Sequence, residues 1–204
     1  MNKENIGSID SIAVDVFTDD EALTSEDELI ETVVSRTKMF SGKVFSAELM
    51  EIKLSNGEPG MREIVRHNGG ATIVPLDQDN NVYMVRQFRA PFQKVLLETP
   101  AGKLEPDEDP RECAIRELLE ETGLRAEKVV ELGSIYASPG YCSEVLHMYL
   151  ATGLTQGQAN PDEGEFLNVV KIPLSKLLED IEAGSICDAK TVVALLKTAR
   201  RLKI

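Results

Sequence analysis

The 204-residue sequence contains no tryptophan, two histidines and three cysteines, and aromatic residues make up 5% of it. Cys113, Cys142 and Cys187 are far apart and form no C-x-x-C pair, which argues against a disulfide framework or a zinc site and leaves three reduced thiols. His67 and His147 fall in no recognisable catalytic pattern and are assigned packing or surface roles. Basic runs are also missing. A formal net charge of −13 with no Lys/Arg cluster to displace counterions argues against a nucleic acid as the main partner. No apolar stretch is long enough to span a bilayer, and the opening MNKENIGSID lacks the apolar centre of a signal peptide, so no membrane association is expected and the cytoplasm is the expected compartment. There are no internal repeats.

What the sequence does have is enough apolar residue, 42%, for one ordinary core and a smaller accessory unit. Residues 1–31 are polar and acidic and are expected to be a loosely ordered lead segment. Residues 44–54 and 62–67 look like strands joined at Asn56-Gly57, and residues 32–67 form a small N-terminal antiparallel β unit in this reading. The main domain then covers residues 68–204. Strands are expected at 71–76, 82–88, 96–98, 129–136, 145–150 and 169–172, with Ser175 and Asp188 capping two closing helices. Mixed strands with a few helices indicate an α/β (α+β) class with layered packing.

The densest information lies between Gly102 and Leu124. Asp109 is a good N-cap, Pro110 suits the first helical position, and Glu112 completes a capping-box pattern, so a helix starts here and ends at Gly123. At about 100° per residue, Cys113, Arg116, Glu117, Glu120 and Glu121 share one side. Three carboxylates stacked this way repel one another by a few tenths of a kcal/mol per pair, unless a hard divalent cation turns the repulsion into coordination. A solvated acidic face is the plain alternative for three glutamates alone. The wider spacing argues against it, because Glu108 stands where it can pair with Arg116 and a glycine precedes the helix.

The whole stretch fits G-x5-E-x7-R-E-U-x-E-E-x-G-U, with U aliphatic, at every fixed position. It resembles the signature of the Nudix hydrolases, which implies an α/β/α sandwich with a mixed sheet. Segments outside the helix are similar to the ADP-ribose pyrophosphatase branch: Glu98-Thr99-Pro100-Ala101-Gly102, with Thr99 in place of an aliphatic residue, the strand Arg86-Gln87-Phe88-Arg89, the basic strand at Arg62-Glu63-Ile64, Pro139 fifteen residues beyond Leu124, and the acidic loop Asp162-Glu163-Gly164-Glu165.

That resemblance implies roles residue by residue. Glu117, Glu121 and the Ala101 carbonyl would hold Mg²⁺, with Mn²⁺ as an alternative, and Glu120 would ligate or orient water on the ion. Glu163 would be the general base, with Glu165 as its rival. Arg89 would clamp the substrate's phosphates, Arg62 would support it, and Glu98 would fix water or an arginine near the ions. The implied reaction is hydrolysis of a nucleoside diphosphate sugar, with ADP-ribose and water giving AMP and ribose 5-phosphate. Other linked diphosphates (another nucleotide sugar, a dinucleotide, a flavin cofactor) are the enzymatic alternative, and a non-catalytic ADP-ribose sensor is the alternative from another class. Without tryptophan, a stacking platform for a base must come from Phe, Tyr or an aliphatic clamp, and the sequence does not separate candidates such as Phe40 and Phe45 from core residues. The resemblance also implies a homodimer in which the N-terminal β unit is exchanged.

Overall fold

A computed structural model of the chain describes residues 29–157 and 167–204. Ten strands and three helices follow in the order β1 (Thr32–Ser41), β2 (Phe45–Lys53), β3 (Pro59–His67), β4 (Gly70–Pro75), β5 (Asn81–Arg89), β6 (Lys94–Glu98), β7 (Ala101–Lys103), α1 (Pro110–Thr122), β8 (Leu124–Tyr136), β9 (Val145–Gln156), β10 (Asn168–Pro173), α2 (Leu174–Glu182) and α3 (Ala189–Leu202).

Two compact units can be distinguished. The smaller comprises, among the described residues, 29–37 and 49–62; the larger comprises 38–48 and the described residues from Glu63 onward. Strands β1, β2 and β3 pair in that order, and Gly57, at a φ of 89°, supplies the left-handed backbone of the turn before β3. The strand β1 was not expected. Almost all its side chains are exposed, so it carries no buried alternation to betray it.

In the larger unit a four-stranded sheet runs in the order β7-β4-β9-β8, with β4 parallel to β9 and the other two pairings antiparallel. A second sheet has the order β10-β5-β6. Successive residues of β4 and β9 point to opposite faces, and the sequence uses both. Ala71, Ile73, Tyr149 and Ala151 pack with Cys113, Ala114 and Leu118 of α1. Val74, Met148 and Leu150 pack with Leu174 and Leu177 of α2 and Ala194, Leu195 and Ala199 of α3. The result is the expected α/β/α sandwich with a mixed sheet. Full burial of a leucine such as Leu118 contributes about 2 kcal/mol, and it pins α1 to the sheet by the face opposite its arginine.

Helix ends follow the expected signals with two exceptions. Asp109 accepts from the amides of Arg111 and Glu112, and Gly123 closes α1 at a φ of 70° with its amide on the Leu119 carbonyl. Glu112, however, pairs with Arg111 instead of reaching back to Asp109, so the capping box is only half formed. The second exception is α2, which begins at Leu174 behind Pro173, one residue ahead of the expected cap Ser175. No side chain caps it. The Leu174 amide donates instead to the Asn80 carbonyl at 2.9 Å, and the fixed φ of proline leads the chain into the helix. Asp188 does cap α3, accepting from the Thr191 amide at 3.1 Å.

Candidate active site

The strand β7, at the edge of the sheet beside β4, packs against α1, and its residues place the glutamates. Gly102 has no Cβ, and the Glu117 carboxylate uses that space: a Cβ there would stand 1.7 Å from Glu117 Oε1. Glu121 accepts a hydrogen bond from the Ala101 amide at 3.0 Å. Both carboxylates are therefore buried, Glu117 to 9% exposure and Glu121 to 5%, which rules out the reading of a solvated acidic face. Cys113, also buried, directs its thiol at the carbonyls of Gly102 and Lys103; burial, aided by Glu108, pushes it up to about 12, so it stays a thiol.

Arg116 is the counter-charge of this cluster. Its Nε and Nη2 bind the two oxygens of Glu108 at 2.9 and 3.1 Å, and its Nη1 reaches Glu117 at 2.6 Å and Glu120 at 2.9 Å. The bidentate bond holds Glu108 at about 2, well below the ordinary carboxylate value, and raises Arg116 further above its own. The Glu108 to Arg116 pairing expected from the spacing is thus present. One arginine faces three carboxylates, which leaves the cluster acidic. Carboxylates and a neighbouring backbone carbonyl are hard oxygen donors, and their burial against a glycine fits a divalent cation. Among the described residues, no three acidic, histidine or cysteine side chains are already gathered as a coordination shell.

Beside β7 opens a cleft of about 350 Å³ lined by residues of the larger unit, among them Arg89, Glu98, Ala101, Gly102, Phe92 and Lys190. The end of β5 supplies Arg89 and the end of β6 supplies Glu98, which is 1% exposed. Arg89 donates from Nε to Glu98 Oε1 at 2.7 Å and from Nη2 to Oε2 at 2.6 Å. Glu98 is held below the usual carboxylate range because the cations Arg89 and Lys190 outweigh its burial, and Arg89 is raised chiefly by its bond to Glu98. The bond leaves the Nη1 edge of Arg89 for other partners.

The structure therefore brings Arg89, Glu98 and Ala101 to one cleft, with Glu117 and Glu121 packed against two of its lining residues. Arg62 is not among them. It belongs to the smaller unit, where it pairs with Glu31 and donates to the Met61 carbonyl. Glu163 and Glu165 lie outside the described residues. Phe40 and Phe45 are more than 40% exposed with ring centroids 5.4 Å apart, so neither is a core residue. His67, expected in a packing or surface role, lines the cleft and accepts from the Gly69 amide at Nδ1.

One residue bonded to Glu98 in the cleft, Lys190, is not foreseen from the sequence. Lys190, 8% exposed, bonds Glu98 and also Asp188 at 2.9 Å. Nothing in the sequence links Lys190 to Glu98, 92 positions away; the only local signal was the Asp188 cap.

Residues 66–191 match the NUDIX domain family. The chain belongs to the NUDIX family. Among its relatives, a methanol dehydrogenase activator of Bacillus methanolicus is 40% identical over 81% of this chain and 90% of its own. An ADP-ribose pyrophosphatase of Bacillus subtilis (strain 168) is 37% identical over 82% of this chain and 91% of its own. A crystal structure of an ADP compounds hydrolase superposes with a TM-score of 0.77 at 26% identity, covering 85% of this chain and 94% of that one. The NUDIX match spans α1, β7 and the cleft, so family membership rests on the same residues as the geometry.

Proposed function

We propose that this NUDIX protein hydrolyses the diphosphate of a nucleoside diphosphate sugar, with ADP-ribose and water giving AMP and ribose 5-phosphate. The observation that carries the reading is the convergence at Ala101-Gly102 of two buried carboxylates of α1 with a cleft that presents Arg89. Similarity to the ADP-ribose pyrophosphatase of B. subtilis supports the choice of substrate.

Glu117, Glu120 and Glu121, with the Ala101 carbonyl, would hold the divalent cation, Mg²⁺ in this reading and Mn²⁺ as an alternative. Such an ion, when bound, neutralises phosphate charge and makes water more acidic. Arg89 clamps the diphosphate, and Glu98 holds the guanidinium at the cleft until the substrate arrives. Glu163, with Glu165 as its rival, takes the proton as the oxygen of water bonds to phosphorus and the bond to the bridging oxygen breaks. No covalent nucleophile is needed: the barrier is lowered by alignment and charge. The NUDIX domain acts with the N-terminal strands as a homodimer in the cytoplasm, with Arg62 near the substrate when those strands are exchanged. Turnover of a panel of nucleotide sugars, dinucleotides and flavin cofactors tests the choice: ADP-ribose is expected to have the highest kcat/KM, and preference for another linked diphosphate by more than about tenfold would reject it.

A second reading is favoured by the 40% identity to the methanol dehydrogenase activator, namely stimulation of a partner dehydrogenase. It is compatible with hydrolysis. Addition of the protein to a methanol dehydrogenase assay is expected to raise its rate under this reading, and an unchanged rate rejects it.

A further inference from the structure

Glu98 is served by more cations than its burial requires. A carboxylate at 1% exposure needs a partner, and the two-pronged bond from Arg89 already satisfies both of its oxygens. Lys190 nevertheless bonds Glu98 Oε2 as well, from the first turn of α3. Burying a lysine is costly unless it is paired, so Lys190 itself depends on Glu98 and Asp188. The row Arg89, Glu98, Lys190, Asp188 alternates in sign and sums to zero.

Lys190 is also held still. Asp188 Oδ2 accepts from Lys190 at 2.9 Å, from the Thr191 amide at 3.1 Å and from the Thr191 hydroxyl at 2.5 Å. Thr191 Oγ1 accepts in turn from the Thr99 amide at 2.9 Å and lies 3.2 Å from the Thr99 hydroxyl, which is 2.7 Å from that of Thr72. Thr72 donates to the Pro100 carbonyl. These buried hydroxyls fasten the start of α3 to the strand end that carries Glu98 and leads into Ala101. They also give Thr99, the departure from an aliphatic residue noted in the sequence, a physical reason: an aliphatic side chain there would break the string.

We propose that Lys190 is a positioning residue that lets Arg89 turn to the substrate. When an anionic diphosphate enters the cleft, Arg89 can exchange its bonds to Glu98 for bonds to phosphate oxygens, because Lys190 keeps the buried carboxylate paired. Without Lys190 that exchange would strand a buried charge, and Glu98 would retain Arg89. The inference rests on reading the cleft as a diphosphate site.

The test measures binding of inorganic pyrophosphate by calorimetry in Mg²⁺ buffer, and KM and kcat for ADP-ribose, for the wild type, Lys190→Met, Lys190→Arg, Arg89→Met and the Lys190→Met/Arg89→Met double variant. Lys190→Met is expected to weaken pyrophosphate binding and raise KM about thirtyfold, with kcat within about threefold of wild type, and Lys190→Arg is expected to restore most of the loss. Because Lys190 acts through Arg89, the double variant is expected to bind no worse than Arg89→Met. Binding by Lys190→Met within about threefold of wild type overturns the proposal, as does a double variant that loses the product of the two single effects, which would make Lys190 an independent phosphate contact. If Lys190→Met does not fold, Lys190→Gln replaces it under the same criteria. A wild type that binds pyrophosphate but leaves ADP-ribose intact rejects ADP-ribose as the substrate while the binding comparison still decides the role of Lys190; a wild type that binds no pyrophosphate overturns that role.

Discussion

Replacing Gly102 by alanine should abolish activity while leaving the fold almost untouched. A Cβ at this position would lie 1.7 Å from Glu117 Oε1 and 2.0 Å from its Cδ, whereas atoms in ordinary contact need about twice that. The obstacle is the tip of a flexible side chain, so the carboxylate moves, by about 1.5 Å, and the backbone need not. Forcing the glutamate off its rotamer costs about 1 kcal/mol, and the smaller entropy of an unfolded alanine returns part of that. Thermal unfolding should then shift by no more than about 2–4 °C. The chemistry has no such tolerance: displacement of a positioned group by about 1 Å costs about a hundredfold in rate. Gly102→Ala is therefore expected to lose at least about a hundredfold in kcat for ADP-ribose with an unfolding midpoint close to wild type. Turnover within about threefold of wild type in a folded variant would refute the placement of Glu117 at the reacting centre.

Glu121→Gln keeps an oxygen for the Ala101 amide but removes the charge, so it should fold normally and lose most Mg²⁺-dependent turnover; unchanged turnover, measured against a Mg²⁺ titration, would remove Glu121 from the ion's ligands. Glu163→Gln should lower kcat more than it weakens substrate binding, and a larger loss in Glu165→Gln alone would move the general base to Glu165. Glu108 gives a pH test with a definite sign. Arg116 holds its carboxyl at about 2 against an ordinary 4.5, so its contribution to stability is complete above about pH 4.5 and is lost as pH falls toward 2. Glu108→Gln should destabilise the protein by about 1 kcal/mol at pH 7, allowing for solvent open to Arg116, with the difference from wild type vanishing near pH 2; a difference that persists there in thermal melts would assign the loss to packing.

The parts of this molecule that could be read in the sequence are those in which the deciding residues are neighbours along the chain. The cap at Asp109, the left-handed Gly123 and the Glu108 to Arg116 pair all act within a helix and its entry loop, where spacing dictates geometry. The burial of Glu117 and Glu121 could not be read that way, because it depends on β7 lying across them. The strand β1 escaped because its side chains are exposed on nearly every position, and β8 was read short because Arg125, Glu127 and Lys128 give its first half no apolar alternation. Ser175 suits a cap by residue type alone, but α2 starts one residue earlier at Leu174, whose amide donates to the Asn80 carbonyl across a turn. Lys190 is the clearest case: its partner Glu98 stands on another element, and the approach exists only after the sandwich has closed. Thr99 shows the converse, a visible departure whose reason lay in hydroxyls from β4 and α3.

The most direct test of the central claim is product analysis after incubation with ADP-ribose, with and without Mg²⁺, resolving AMP from ribose 5-phosphate. Equal amounts of both products, formed only when the ion is present, are predicted. Intact ADP-ribose in the presence of Mg²⁺, or products that form equally well after chelation, would contradict the claim.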